Sequence, residues 1–299
     1  MVAAQTSTLS QPAIALRFER SRREQLVAAG LRERRLVIFG AIVLIMVVIG
    51  VLAPLLAPYD PYQTAPTQTL QQPSLAHLLG TDSLGRDQLS RVIYGTRISL
   101  AVAVIAVSIS LGGGVSLGLV AGYLGGWLDQ IFSRLIDAML AFPGVLLAIA
   151  VTSALGPSLR NAMIAVGLIG IPLYFRLTRG QVLQAREQDY VTAAAVLGSS
   201  RIRILLRHIL PNIANPMIVA ASISSSTSIL ALAALGFLGI GPQPPDPDWG
   251  SMINAASSLL ERSPWLSFGP GLAIFLTVFS FSMLGDGLRD ALDPRLRNR

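Results

Sequence analysis

Leu36-Val-Ile-Phe-Gly-Ala-Ile-Val-Leu-Ile-Met-Val-Val-Ile-Gly-Val-Leu-Ala-Pro-Leu-Leu-Ala57 carries no charged residue. A helix needs about 20 apolar residues to cross the ~30 Å hydrocarbon core of a bilayer, so this run is long enough to span one. Pro58 and the turn-rich Tyr59-Asp60-Pro61 close it. The basic leader of about 35 residues is too long for the n-region of a secretory signal, and the apolar core exceeds the usual ~7–15 residues. The run therefore reads as a retained helix.

Working outward, five further apolar stretches repeat the pattern, at 98–123, 132–155, 161–177, 211–235 and 266–284. The composition agrees: 52% of residues are hydrophobic, 13% are charged, and the mean hydropathy is +0.60. A soluble domain carries about 25% charge, so half of the usual polar coat is missing. The expectation is an all-α integral membrane protein of about six transmembrane helices. A transmembrane domain at 36–288 is flanked by tails at 1–35 and 289–299, with large segments outside the bilayer at 58–96 and 179–210.

The net charge of +7 comes from 23 arginines and no lysine. Eighteen of them fall before the first span, at Arg134, between Arg176 and Arg207, or from Arg289 onward; the other five are Arg86, Arg91, Arg97, Arg160 and Arg262. By the positive-inside rule both termini and segment 179–210 are expected in the cytoplasm, and 58–96 outside. The basic balance thus encodes membrane orientation rather than nucleic-acid binding. Trp127, Trp249 and Trp265 lie near span ends, as interfacial anchors do.

Several chemistries are excluded. Without lysine there is no P-loop, so the chain cannot hold ATP by that route. Without cysteine there is no disulfide, thiolate metal site or Cys nucleophile. His77 and His208 are expected on opposite sides of the membrane, which removes a His-based triad or metal cluster. No catalytic residue and no metal ligand is assigned, and an intramembrane hydrolase would lack a base for any Ser.

Two extramembrane segments carry readable structure. In 77–91, Asp82/Arg86 and Asp87/Arg91 stand at i,i+4, which predicts a short surface helix. In 179–210, Asp189 is placed to cap Tyr190-Val-Thr-Ala-Ala-Ala-Val-Leu197, with Gly198 as its C′ residue. Ser199 or Ser200 would cap a second helix over 201–210. The first of these is too short to cross a membrane and must sit as a knob on the cytoplasmic face, with Ala193, Ala194 and Ala195 giving it a slim side.

At this point the residues resemble a known family. Ala193-Ala194 followed by Gly198 and Leu210-Pro211 is similar to the EAA loop of ABC-importer permeases. Gly80-Thr-Asp-Ser-Leu-Gly-Arg-Asp87, Arg176-Leu-Thr-Arg-Gly180, Arg207-His-Ile-Leu-Pro-Asn212, Gly236-Phe-Leu-Gly-Ile-Gly-Pro-Gln-Pro-Pro245, Trp249-Gly250 and Gly285-Asp-Gly-Leu-Arg-Asp-Ala-Leu-Asp-Pro294 resemble the dipeptide/oligopeptide/nickel branch, in its second, C-type subunit. Two departures stand out: Thr192 where the family has Glu, and His208 where it has Ile.

The resemblance implies a type I ABC-importer-like arrangement in which the short helix couples to ATPase subunits through Asp189, Tyr190, Thr192, Ala193, Ala194, Ala195, Leu197, Gly198 and Arg201. It implies a homologous permease subunit as heterodimer partner, two ATPase subunits or domains holding ATP and Mg, and an extracytoplasmic substrate-binding lipoprotein. This chain itself would bind no cofactor, and its surroundings would be membrane lipid, not nucleic acid. The cargo would be di- or oligopeptides, with nickel or another small solute as the alternative; a receptor or scaffold is the reading from another class.

Gly112-Gly-Gly114 and the stripe Gly114, Gly118 and Gly122 offer either a flexible gate or a face that lets two helices approach closely, and packing is the expectation. Ser222, Ser225, Ser226, Thr227 and Ser228 offer hydroxyls either to a translocation path or to neighbouring helices. Asp137, the one acid well inside a span, is expected to pair with Arg134 on one helical face. Pro143, Pro172 and Pro216 are candidate kinks. The outer loop bearing Asp246, Asp248 and Trp249 is a candidate dock for a binding protein.

Overall fold

The structure is a computed structural model, and it describes residues 34–292. The tails beyond these limits, including most of the N-terminal arginine cluster, lie outside the described residues.

Apolar sequence becomes helix wherever it runs unbroken. Helices α1 (Arg34–Val51) and α2 (Ala53–Leu56) form the first span, divided just before Pro54. Helix α3 (Gln88–Leu124) starts ten residues earlier than the apolar run. At 37 residues it is ~55 Å long, so its first turns stand clear of the hydrocarbon. Helices α4 (Gly126–Leu140) and α5 (Gly144–Leu155) replace the single span expected at 132–155 and meet at 93°. Pro143 lies at that break, whereas Pro172 and Pro216 ride inside continuous helices. Helix α6 (Leu159–Ala185) is ten residues longer than the stretch 161–177.

The short helix α7 (Asp189–Val196) follows. Then α8 (Arg201–Arg203), a π-helical stretch Ile204–Ile209 and α9 (Leu210–Phe237) form one continuous rod, not the separate helix expected over 201–210. Helices α10 (Trp249–Ser257) and α11 (Trp265–Leu292) complete the chain. Counting the bent pair as one, six spans are present among the described residues.

The centre of the bundle is α3 against α6, which pack over more of their length than any other pair. Glycine makes this possible. A Cβ at Gly118 would meet Thr178 Cβ at 2.7 Å and the Phe175 carbonyl oxygen at 2.8 Å, and one at Gly122 would meet Val182 Cβ at 2.9 Å. Backbone rests on backbone, as small residues allow in a lipid phase that gives no hydrophobic drive to helix association. Ser110 adds a polar tie, its Oγ donating to the Gly167 carbonyl at 2.7 Å. Around this seam, Val102, Ala106, Ala148, Ala162, Ala165, Val166, Leu232 and Leu235 form a core of small side chains shared by α3, α5, α6 and α9.

The short surface helix expected in 77–91 is absent. Gly80 and Gly85 take positive φ (72° and 75°), a conformation that breaks a helix. Asp82 instead turns its carboxylate onto the amides of Leu84 and Arg86 at 2.9 and 3.0 Å and onto Arg86 Nε at 2.7 Å. Asp87 does not pair with Arg91. It caps α3 by accepting from Ser90 N at 2.8 Å and faces His77 Nδ1 at 2.9 Å. Arg91 is buried and stitches the loops instead, donating to the carbonyls of Pro61 and Pro245 at 2.9 and 3.2 Å.

Candidate functional site

Helix α7 projects from the end of the bundle where α3 and α6 terminate. Its anchor is apolar: Val191 and Ala194 are buried with Leu119, Val182, Ile204, Ile209 and Ile213. Gln188, not Asp189, is the N-cap residue, and no side chain caps this helix; Asp189 is its first residue, where a carboxylate still faces the positive end of the helix dipole. The other end closes as the sequence suggests. Gly198 has φ +78°, its amide donates to Ala195 O at 3.0 Å, and Ser199 N donates to Ala194 O at 3.1 Å. This is a Schellman closure, which needs a left-handed residue at C′. Ser200 Oγ accepts from Arg203 N at 3.4 Å to start the following rod.

The outer side of this knob has no cover. Val196, Leu197 and Ile202 are 82%, 85% and 70% exposed. Tyr190, Thr192, Ala193, Ala195 and Gly198 are exposed with them, as are Arg201, Arg203 and Arg207. Ala194 departs from the expected slim side, because its methyl group points into the bundle. The knob thus presents an apolar tip beside exposed arginines, on a helix too short to cross lipid.

The hydroxyl stripe of α9 serves packing for the most part. Ser222 donates to the Phe281 carbonyl at 3.1 Å, Ser226 accepts from Ser282 at 3.0 Å, and Ser226 and Ser228 are buried within the chain. Ser225 and Thr227 donate to the carbonyls of Ala221 and Ser224, both at 3.0 Å, and of the five only Thr227 is exposed. Three of the candidate path residues are thus committed to helix contacts, because α11 covers that side of α9.

The outer loop also differs from expectation. Asp248 and Trp249 are buried and have no face left for a docked protein. Trp249 Nε1 donates to Val92 O at 3.0 Å, so it bridges α10 to α3 instead of anchoring at an interface. Asp248 caps α10 by accepting from Ser251 N at 2.8 Å. Only Asp246 of the three is half-buried.

Burial pushes the Asp248 carboxyl up to about 6, against the pull of the Ser251 and Gly250 amides and the Ser251 hydroxyl. The native state then holds a proton between about pH 4 and 6 that the unfolded chain has released, so stability falls as pH rises through that window. Asp248→Asn keeps the cap and removes the titration. Thermal unfolding in detergent between pH 4 and 7 should show a flatter profile for this variant, and an unchanged slope would refute the assignment.

Two ion pairs were not legible in the sequence. Arg179 clamps Asp129 with both Nε and Nη2, at 2.5 and 2.7 Å, fixing α4 to α6. Asp137 pairs with Arg176 at 2.8 Å and not with Arg134. The partner lies 39 residues on, so spacing within one helix could not reveal it.

The family described as binding-protein-dependent transport system inner membrane component matches residues 114–298, and the N-terminal transmembrane domain of oligopeptide transport permease C matches residues 25–73. The chain belongs to this permease family. The dipeptide transport system permease protein DppC of Haemophilus influenzae is 47% identical over 273 residues, covering 89% of this chain and 92% of that protein. DppC of Alkalihalophilus pseudofirmus is 45% identical over 269 residues, 90% and 88% of the two chains. The glutathione transport system permease protein GsiD of Pectobacterium atrosepticum is 45% identical over 269 residues, 90% and 89%. Among solved structures, the inward-facing MetNI methionine ABC transporter aligns with TM-score 0.53 and 17% identity, covering 68% of this permease and 97% of that chain. That likeness concerns the fold, and it supports the type I importer arrangement of the helices around α7. A multi-pass membrane protein whose relatives are transport permeases is consistent with a non-catalytic subunit.

Proposed function

We propose that this permease is the C-type subunit of an ATP-driven importer of di- and oligopeptides in the cytoplasmic membrane. In this reading both termini and the α7 knob face the cytoplasm, a homologous permease subunit completes the path, and an external lipoprotein delivers the substrate. ATP and Mg belong to two ATPase subunits or domains, and α7 is the lever on which they push during alternating access. This chain has no catalytic role of its own. The peptide cargo is supported by relatives named for dipeptide, di/tripeptide and glutathione transport.

The observation that carries the coupling role is the uncovered apolar tip. Val196, Leu197 and Ile202 project at the end of the bundle where Arg201, Arg203 and Arg207 are exposed with them. Thr192, where the family has Glu, removes a carboxylate from this surface but leaves its shape. The short Ala193 and Ala195 side chains permit close seating in a partner groove.

The chain has no cysteine, so a single thiol placed at Val196 reports on one position. Co-expressed with the ATPase subunits, Val196→Cys should give a cross-linked adduct with an ATPase, while Ile38→Cys on the lipid-exposed side of α1 should give none. A tip thiol that never traps an ATPase would sink the coupling assignment. Uptake of labelled dipeptide and of nickel by a deletion strain carrying the complete system separates the two cargo readings, with dipeptide expected.

A further inference from the structure

Two arginines at one end of the bundle face a cavity with most of their donors unused. The cavity, about 100 Å³ in volume, is bounded by Arg86 and Arg91, by Asp246 of the loop before α10, and by Ala255 and Leu259 of α10. Each guanidinium carries five N–H donors. Arg86 gives Nε to Asp82 Oδ2, and Arg91 gives Nη1 to the carbonyls of Pro61 and Pro245. Among the described residues the other guanidinium nitrogens make no hydrogen bond, and Arg91 Nε comes only within 3.8 Å of Asp82 Oδ2.

The pairing of charge is incomplete as well. Buried cations are normally paired, and the Arg86 and Arg91 side chains are only 13% and 5% exposed. One carboxylate oxygen, Asp82 Oδ2, serves both of them, while Asp82 Oδ1 is held by the amides of Leu84 and Arg86. Asp246 lines the cavity but forms no ion pair with either arginine among the described residues. The free N–H groups thus lack a carboxylate, and guanidinium binds one with directional, charge-assisted hydrogen bonds.

Size and position select where that carboxylate comes from. Sites that enclose a whole small molecule hold about 300–1,000 Å³, so this cavity takes the tip of a side chain and not a peptide. Ser83 and Ala255 line it and are exposed, so it opens to solvent. Along the central seam Gly114 meets Tyr174, Gly118 meets Thr178 and Gly122 meets Val182. Helices α3 and α6 therefore run in the same direction, and α7 emerges where both end. The cavity sits at the first turn of α3, the far end of a ~55 Å helix.

We infer that the Arg86–Arg91 cavity is a socket for an aspartate or glutamate side chain of the external substrate-binding protein. This inference rests on the permease reading, which sets the end opposite α7 on the extracytoplasmic side and supplies that partner. Asp246 opposes the incoming carboxylate and so holds the affinity down.

Because the chain has no lysine, Arg86→Lys places a single side-chain amine in the socket. The complete transporter in nanodiscs, with its ATPases, is mixed with the binding protein and treated with a carbodiimide, which joins an amine directly to a carboxylate. The expected product links position 86 to an aspartate or glutamate of the binding protein, identified by mass spectrometry of the cross-linked peptides. A link confined to Asp82 of this chain, no link, or a link to free dipeptide with the binding protein left out would overturn the inference.

In parallel, Ala255→Glu supplies the socket with a carboxylate from its own wall. It should weaken capture of the binding protein about tenfold, the loss of one charged hydrogen bond, and raise Tm in detergent by about 2 °C or more. Ala255→Gln, of equal size, should do neither. Asp246→Asn should tighten capture about threefold by removing a like charge. Equal affinity across these variants, in a transporter that imports dipeptide normally, would sink this inference alone. A wild-type transporter that neither imports dipeptide nor captures the binding protein would sink the permease reading instead.

Discussion

Gly198→Trp should insert and fold as the wild type does while dipeptide uptake falls about a hundredfold, the equivalent of ~2.7 kcal/mol lost at one contact. Gly198 occupies φ +78°, and nothing lies within 4 Å of a Cβ built there. The substitution therefore clashes with nothing inside the chain, and its internal cost is the left-handed strain of a non-glycine residue, about 1–2 kcal/mol. The indole would stand on the surface that carries Leu197 and Val196. A partner groove shaped for an alanine-lined helix cannot receive it, so ATP hydrolysis should no longer track uptake. Membrane content by immunoblot, ATPase rate and uptake rate are measured together. Uptake at the normal rate in a correctly inserted variant would refute the lever.

Gly118→Leu should have the opposite character, removing the folded protein rather than its coupling. The new side chain would start 2.8 Å from the Phe175 carbonyl oxygen and 3.1 Å from Arg179 N. Backbone cannot move aside as a flexible side chain can, so α3 and α6 must separate along the longest seam in the bundle. Overpacking in a well-packed core costs about 1–3 kcal/mol, and here the displaced atoms are main chain, so the upper end or beyond is expected. Gly112→Ala is the contrast, because nothing lies within 4 Å of its Cβ and alanine favours helix over glycine by about 1 kcal/mol. Size-exclusion monodispersity and thermal unfolding in detergent should show loss for Gly118→Leu and equal or greater stability for Gly112→Ala. Equal behaviour of the two would contradict the seam.

The readings that succeeded were those whose physics is local. An uncharged run at 36–57 must become helix in lipid, because nothing else there satisfies its backbone polar groups. Gly198 had to close a helix because it follows a short alanine-rich run, and the Gly114, Gly118 and Gly122 repeat had to present one smooth face. The failures have one cause. Asp87, Asp137 and Arg91 were each assigned to a neighbour in sequence, and each found its partner elsewhere: His77 for Asp87, Arg176 for Asp137 and two distant carbonyls for Arg91; Asp82 does hold Arg86 as its spacing predicts, in a loop and not on a helix.

By itself the sequence determined that the chain is helical and membrane-spanning, where most spans lie, and which short helix cannot cross a bilayer. Apolar length, arginine placement and glycine position are each set within a few turns of chain. Only the tertiary structure decided that the span at 132–155 bends through 93°, that Asp248 and Trp249 are interior supports, and that Val196 and Leu197 remain bare while Ala194 does not. Those outcomes depend on which distant surfaces meet. A charge or hydroxyl finds its partner through space, at a distance that spacing along one helix does not encode.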